Sequence, residues 1–269
     1  MTDFLTLGFL QRALIAGVLV SLLCGALSTF IVLRRMAFIG VGISHSAFGG
    51  VALGFLLGVD PLWTGIGFTV IVALLIEWAQ RNSRVEEDTA IGIFFAASMA
   101  LGVIFLHLSR TYNVDVFGFL FGNILAVGNQ QVVQILAITV CVLAVLAAFF
   151  KEIVFLSFDE EMAWVSGVPV GTLRYLFLVI LALVIIVSIY LVGIILVEAL
   201  LVIPGAIAQN LSRQLKGMLW SSIAVAVGSA VGGLALSYGA DFPSGATIVL
   251  VLTLLYLFTS LLRPWLRTR

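Results

Sequence analysis

The feature that most constrains this chain is a series of long apolar runs that repeats along nearly its whole length. The runs lie near residues 11–33, 38–58, 62–79, 89–108, 131–150, 173–191, 193–210, 217–238 and 246–262. A helix needs about 20 largely apolar residues to cross a hydrocarbon core of about 30 Å. Charged residues make up only 10% of the chain, against about 25% in soluble domains. The sequence therefore predicts an all-α, polytopic membrane helix bundle with about nine transmembrane helices, and it excludes a soluble globular fold.

The basic residues indicate how these helices are oriented. Alternate loops contain Arg34, Arg35, Arg81, Arg84, Lys151, Arg174, Arg213, Lys216, Arg263, Arg267 and Arg269. Only Arg12 and Arg110 are left for the opposite side. Because cytoplasmic loops collect Lys and Arg, we expect the amino terminus outside and the carboxyl terminus in the cytoplasm.

Two stretches are harder to place. Between the sixth and seventh runs, only Tyr190 and Gly193 mark a turn, so a broken or re-entrant helix is the alternative to two separate spans. The stretch 109–130 is too polar to cross the bilayer and too apolar to stay in water. We expect it to be an interfacial segment on the outer side.

The second run contains small residues at every fourth position, namely Gly42, Ser46, Gly50 and Gly54. This period stacks them along one face of a helix. Small residues allow a neighbouring helix to approach closely, so the ridge predicts helix packing.

His45 lies beside this ridge, in the interior of the same run. A histidine inside a span is costly unless it faces a partner or a water-filled path. Neutral imidazole suits zinc and other borderline transition metals. We therefore consider His45 a candidate for an ion path, with a hydrogen-bonded core histidine as the alternative.

Glu198 is the second ionisable residue deep in an apolar run. Such carboxylates commonly lie on transport pathways, so Glu198 is a candidate for the translocation path or its gate. The alternative is a protonated side chain that hydrogen-bonds another helix. Pro204 follows six residues later. It removes a backbone donor and tends to kink a helix, which frees carbonyls that must then find partners or line a cavity.

A charged segment near 157–168 predicts a short helix on the inner face. Asp159 is a suitable N-cap, and Gly167 is placed to end the helix. Its apolar residues are Met162, Ala163, Trp164 and Val165, which this chain alone would bury poorly. Either a partner protein covers them or the helix lies on the membrane surface. The sequence has no Gly-rich run ending in Gly-Lys-Ser/Thr, so any ATP must be hydrolysed elsewhere.

Glu161, Ala163 and Gly167 resemble the E-A-A, three residues, G loop by which ABC importer permeases dock their ATPase. The segments 44–54, 86–103, 112–125, 192–208 and 241–250 are similar, in order and spacing, to the permease subunits of bacterial metal-ion (zinc, manganese or iron) ABC transporters. The resemblance implies one transmembrane permease domain over 1–269, with its coupling helix near 157–168, in the bacterial plasma membrane.

The resemblance also implies the partners. These are two copies of a cytoplasmic ABC ATPase, an extracytoplasmic metal-binding protein, a second copy of the permease and the lipid bilayer, with no nucleic acid. The chain itself would be a transport subunit and not an enzyme. No cofactor would be bound permanently, and Zn²⁺, Mn²⁺ or Fe²⁺ would be the substrate.

One departure from the family pattern bears on the metal. The second span of the family commonly reads Asp, three residues, His, whereas this chain has Val41 before His45. Losing a hard oxygen ligand disfavours Mn²⁺ more than Zn²⁺. We therefore expect zinc, with manganese, iron or a metal chelate as alternatives, and hypothesise that Glu198 supplies the missing carboxylate. A proton-coupled secondary transporter, with Glu198 as the proton carrier, would leave the 157–168 helix without a role.

Overall fold

A computed structural model describes residues 7–82, 86–109, 122 and 124–266, with side chains as far as Leu262. This part of the chain is helical and contains no strand. Its helices are α1 (Gly8–Leu33), α2 (Ala37–Leu57), α3 (Pro61–Asn82), α4 (Glu87–Ser109), α5 (Asn129–Ala148), α6 (Phe150–Phe158), α7 (Glu160–Val165), α8 (Val170–Val192), α9 (Ile194–Leu211), α10 (Leu215–Ala240) and α11 (Ser244–Leu266). A 3₁₀ turn covers Ile124–Ala126.

The predicted all-α membrane fold is confirmed. Within the described ranges, nine helices are long and apolar enough to cross a membrane. These are α1 to α5 and α8 to α11, and their ends lie within a few residues of the predicted runs. The fifth run was expected to reach residue 150, but α5 ends at Ala148 and α6 begins at Phe150. The orientation of the termini stays a prediction.

The ambiguous stretch near residue 190 contains two helices joined by one residue. α8 ends at Val192 and α9 begins at Ile194. Gly193 between them has φ +87° and ψ 162°, a region that is essentially restricted to glycine. Gly122 packs against this link, since a Cβ at Gly122 would overlap the Val192 carbonyl and the Gly193 nitrogen. Residues 110–121 and 123 of the predicted outer segment lie outside the described residues.

Contacts divide the chain into two compact units. The first contains α1, the 3₁₀ turn, α5 and α9 to α11. The second contains α2 to α4, α6, α7 and α8 as far as Tyr190. The single domain over 1–269 stays a prediction.

In the first unit, small residues bring α1 close to α9 and α10. Ser222 Oγ donates to the Gly25 carbonyl at 2.6 Å. Ser28 Oγ accepts from the Gly205 N–H at 2.8 Å, one residue after Pro204. Interhelical hydrogen bonds in membranes contribute only about 0.6 kcal/mol on average, so close packing provides much of the stability. α9 continues as a helix through Pro204.

In the second unit, α2 uses the predicted ridge to contact both α3 and α4. A Cβ at Gly42 would overlap Ile91 of α4, and one at Gly50 would lie 2.8 Å from the Cα of Gly65 in α3. A Cβ at Gly54 would lie 2.7 Å from the Cα of Pro61, at the start of α3. Ser46 Oγ donates to the Gly42 carbonyl at 2.7 Å, which satisfies this hydroxyl within its own helix. The ridge therefore packs α2 against α3 and α4. This packing determines the direction in which the other side chains of α2 point.

Candidate functional site

His45 is half-buried on α2. Its Nδ1 lies 3.2 Å from the Val41 carbonyl oxygen. Its ring meets the Phe95 ring of α4 edge-on, with centroids 5.1 Å apart. A carbonyl can only accept, so this contact is a hydrogen bond in the tautomer that carries its proton on Nδ1. In that neutral tautomer the lone pair that could bind a metal ion is on Nε2.

Val41 therefore contributes its backbone to the orientation of His45. This contact does not depend on the side chain at position 41. The valine side chain offers no ligand atom where the family pattern has a carboxylate.

Glu198 lies on α9 in the first unit. It is half-buried, and its Oε1 atom is buried. His45 belongs to the second unit, so a joint carboxylate and imidazole site stays a prediction. Among the described residues, there is no group of three or more His, Cys, Asp or Glu side chains that could hold a metal ion.

The predicted short helix is present as α7, in the second unit. Asp159 Oδ1 accepts from the Met162 N–H at 2.9 Å, as expected of an N-cap. Glu160 and Glu161 occupy the first turn, where the helix dipole favours negative charge. Gly167 follows the helix with φ +82°, a conformation that glycine adopts without strain.

α7 has one buried face and one exposed face. Ala163 is fully buried and clusters with Leu156, Val170 and Leu173. The prediction of poor burial was wrong for Ala163, because α6 and the start of α8 cover that face. It was right for Met162, Trp164 and Val165, which are 55%, 72% and 73% exposed.

An open cavity of about 1000 Å³ lies beside this exposed face. Its lining consists of side chains from α7, the loop that follows it, the start of α8 and the end of α3. Among them are Arg81, Glu160, Glu161, Trp164 and Val165. The surface presents an exposed tryptophan and an arginine, two residue types that are enriched in protein interfaces.

One group of charges in this unit was not predicted from the sequence. The Glu77 side chain is only 1% exposed. Arg174 Nε lies 3.2 Å from Glu77 Oε1, and Arg81 Nε lies 3.8 Å from the same oxygen. Arg174 also donates to Glu160 Oε1 at 2.9 Å. Glu77 and Arg81 are four residues apart, a spacing that could have predicted a helical ion pair. No sequence pattern predicted that Arg174 would lie near them.

The chain matches the model of the ABC 3 transport family over residues 6–263. It belongs to this family. The manganese transport system membrane protein MntC of Halalkalibacterium halodurans is 38% identical over 97% of this chain and 90% of that protein. The high-affinity zinc uptake system membrane protein ZnuB of Haemophilus influenzae is 32% identical over 92% and 95% of the respective chains. The solved structure of PsaBC from Streptococcus pneumoniae in complex with Fab matches with a TM-score of 0.88 and 36% identity, over 99% of this chain and 96% of that one.

The resemblance seen in the sequence is thereby confirmed. This ABC 3 family chain is a metal ABC transporter permease and a multi-pass protein of the bacterial inner membrane. The preference for zinc is not confirmed. Pairing of two identical permeases, and the roles of individual site residues, stay predictions.

Proposed function

We propose that this ABC 3 family chain forms the membrane path of an ATP-driven importer for a divalent first-row transition-metal ion. The observation that supports this most directly is α7, a capped helix that exposes Met162, Trp164 and Val165 beside a charged cavity. Exposed apolar side chains grouped in this way indicate an interaction site. A cytoplasmic ATPase subunit is the partner that the family architecture offers.

Two copies of the permease would complete the transporter. A two-fold pair presents two α7 surfaces, one for each of two ATPase subunits, as closed symmetry requires. On the other side of the membrane, an extracytoplasmic metal-binding protein would deliver the ion. ATP would be hydrolysed in the partner subunits and not in this chain.

Transport would proceed by movement of helices around a weak ion site. The binding protein releases its ion toward His45, whose Nε2 can act as a ligand. Closure of the ATPase pair then moves α7, the transmembrane helices rearrange and the ion leaves toward the cytoplasm. A path that must release its ion is served by few ligands, because conduction requires weak binding.

Two observations about the cargo point to different metals. The relative of higher identity is named for manganese and the one of lower identity for zinc. The local ligands favour zinc, since His45 supplies nitrogen and Val41 supplies no side-chain oxygen. Since the manganese protein is 38% identical and the zinc protein 32% identical, each over more than nine-tenths of this chain, we propose manganese as the first candidate and zinc as the second.

A competition experiment tests the cargo. The permease is reconstituted in proteoliposomes with its ATPase and its binding protein, and uptake of radioactive manganese is measured. We expect uptake that excess unlabelled Mn²⁺ suppresses and that Mg²⁺ leaves unchanged. Parallel binding measurements on the isolated binding protein separate its selectivity from that of the permease. Uptake of labelled zinc without manganese would favour the second candidate, and uptake of no transition metal would contradict the proposed function.

A further inference from the structure

Arg174 connects two carboxylates that belong to different helices. Its Nε is 3.2 Å from Glu77 Oε1 on α3, and its terminal nitrogen donates to Glu160 Oε1 on α7 at 2.9 Å. Arg174 itself lies in the first turns of α8. One guanidinium therefore joins α3, α7 and α8 within the second unit.

Glu77 is the buried end of this bridge, and a contribution to the stability of the fold does not by itself account for a charge at that position. Glu77 is 1% exposed, and a buried charge is costly unless it is paired. Replacing a buried ion pair by apolar residues is often neutral or stabilising, so such a pair is weak evidence for a stabilising role. The other end is accessible, since the Glu160 side chain is 44% exposed. The bridge thus leads from an accessible surface to the interior of the helix bundle.

α7 is attached to its surroundings by two kinds of contact. Ala163 packs against Val170 and Leu173, which ties α7 to the start of α8 through apolar surface. Through that contact alone, a displacement of α7 would be transmitted to α8 only. The ion pair with Glu77 adds α3, because Arg174 lies one residue after Leu173 and reaches both carboxylates.

α3 in turn packs tightly on the helix that carries His45. A Cβ at Gly50 of α2 would lie 2.8 Å from the Cα of Gly65, and one at Gly54 would lie 2.7 Å from the Cα of Pro61. At such distances the backbones are in contact, and interiors packed this closely transmit displacement with little compression. Direct contacts therefore run from α7 through Arg174 and α3 to α2.

We propose that Arg174, held by Glu77 and Glu160, is a positioning residue that makes α3 follow the movement of α7. The inference rests on the proposed function, in which an ATPase subunit moves α7. Without the bridge, the ATPase would still dock and hydrolyse ATP. The displacement would then reach α2 incompletely, so fewer metal ions would cross for each ATP consumed.

The test is the ratio of metal ions transported to ATP hydrolysed in the complete reconstituted transporter carrying Arg174→Gln. Energetic coupling between two sites commonly changes an equilibrium at least about fivefold, and we expect the ratio to fall by that factor or more. Co-purification of the ATPase and ATP hydrolysis should persist. A ratio equal to that of the unaltered transporter, or a proportional fall of hydrolysis and transport, would overturn the proposal.

Two further variants keep the test decisive. Arg174→Lys keeps the positive charge and so protects the fold, but lysine lacks the planar fork that contacts two carboxylates. We expect a ratio between those of Arg174→Gln and the unaltered protein. If Arg174→Gln does not assemble, an unchanged ratio for Arg174→Lys overturns the proposal. Lys151→Gln removes an exposed positive charge from α6 in the same unit and should leave the ratio unchanged.

Failure of this inference is distinguishable from failure of the proposed function. If the unaltered complex transports no metal with ATP, the proposed function is wrong whatever the variants do. If it transports metal and the Arg174 variants keep its ratio, only the positioning role is wrong.

Discussion

Replacing His45 with alanine is expected to lower metal uptake by at least roughly 10- to 100-fold. Loss of residues that merely support a metal ligand already has effects of about this size. The ring is held by the Val41 carbonyl and by Phe95, so under the proposed function its removal would eliminate a preoriented nitrogen ligand from the path. Uptake is measured in proteoliposomes that contain the ATPase and the binding protein.

His107→Ala is the matched control. His107 is the other histidine of the chain and lies exposed near the end of α4. Its replacement should leave uptake unchanged. Equal uptake by His45→Ala and His107→Ala, at equal amounts of assembled complex, would show that the ion does not depend on His45.

The same assay tests whether Glu198 supplies the carboxylate that Val41 lacks. Glu198→Gln keeps the size of the side chain and removes its charge, and we expect it to reduce uptake. Adding Val41→Asp to this variant should restore part of the loss, because the contact with His45 uses the backbone of residue 41. If Glu198→Gln leaves uptake unchanged while His45→Ala abolishes it, the compensation hypothesis is wrong.

Replacing Trp164 with alanine is expected to weaken binding of the ATPase subunit by about 30-fold, which corresponds to about 2 kcal/mol. Trp164 is 72% exposed on the free face of α7. Because the side chain is exposed, Trp164→Ala should leave the permease fold intact. An interface with the ATPase subunit would lose a large aromatic contact. Binding is measured by titrating the purified ATPase onto the permease in nanodiscs.

Trp63→Ala is the control for this titration. Trp63 is 69% exposed at the start of α3, on the predicted outer side. The Trp63→Ala permease should therefore bind the ATPase with the same affinity as the unaltered permease. Equal affinities for the Trp63 and Trp164 variants would exclude the exposed face of α7 as the docking surface.

The sequence predicted the fold well because the bilayer imposes a simple rule. Every backbone group in the hydrocarbon core must be paired, so an apolar run of sufficient length becomes a helix. The link at Gly193 was the exception, since the apolar runs on either side of it nearly merge. Only the backbone angles of that glycine define where α8 ends and α9 begins.

The candidate site was predictable where the signal was local. The N-cap at Asp159 and the ridge through Gly50 follow from spacings of three or four residues. The burial of Ala163 was not predictable, because it depends on how α6 and α8 fold over α7. The burial of Glu77 was missed for a similar reason, since its partner Arg174 is distant in the sequence and is brought near only by the packing of α8.

The most direct test of an ATP-driven permease is to determine which energy source drives metal uptake. Proteoliposomes with the permease, its ATPase and its binding protein are supplied with metal, with ATP on the ATPase side, and with or without an imposed proton gradient. We predict uptake that requires hydrolysable ATP and persists when a protonophore abolishes the gradient. Uptake driven by the proton gradient in the absence of ATP would contradict an ATP-driven permease and would favour a secondary transporter.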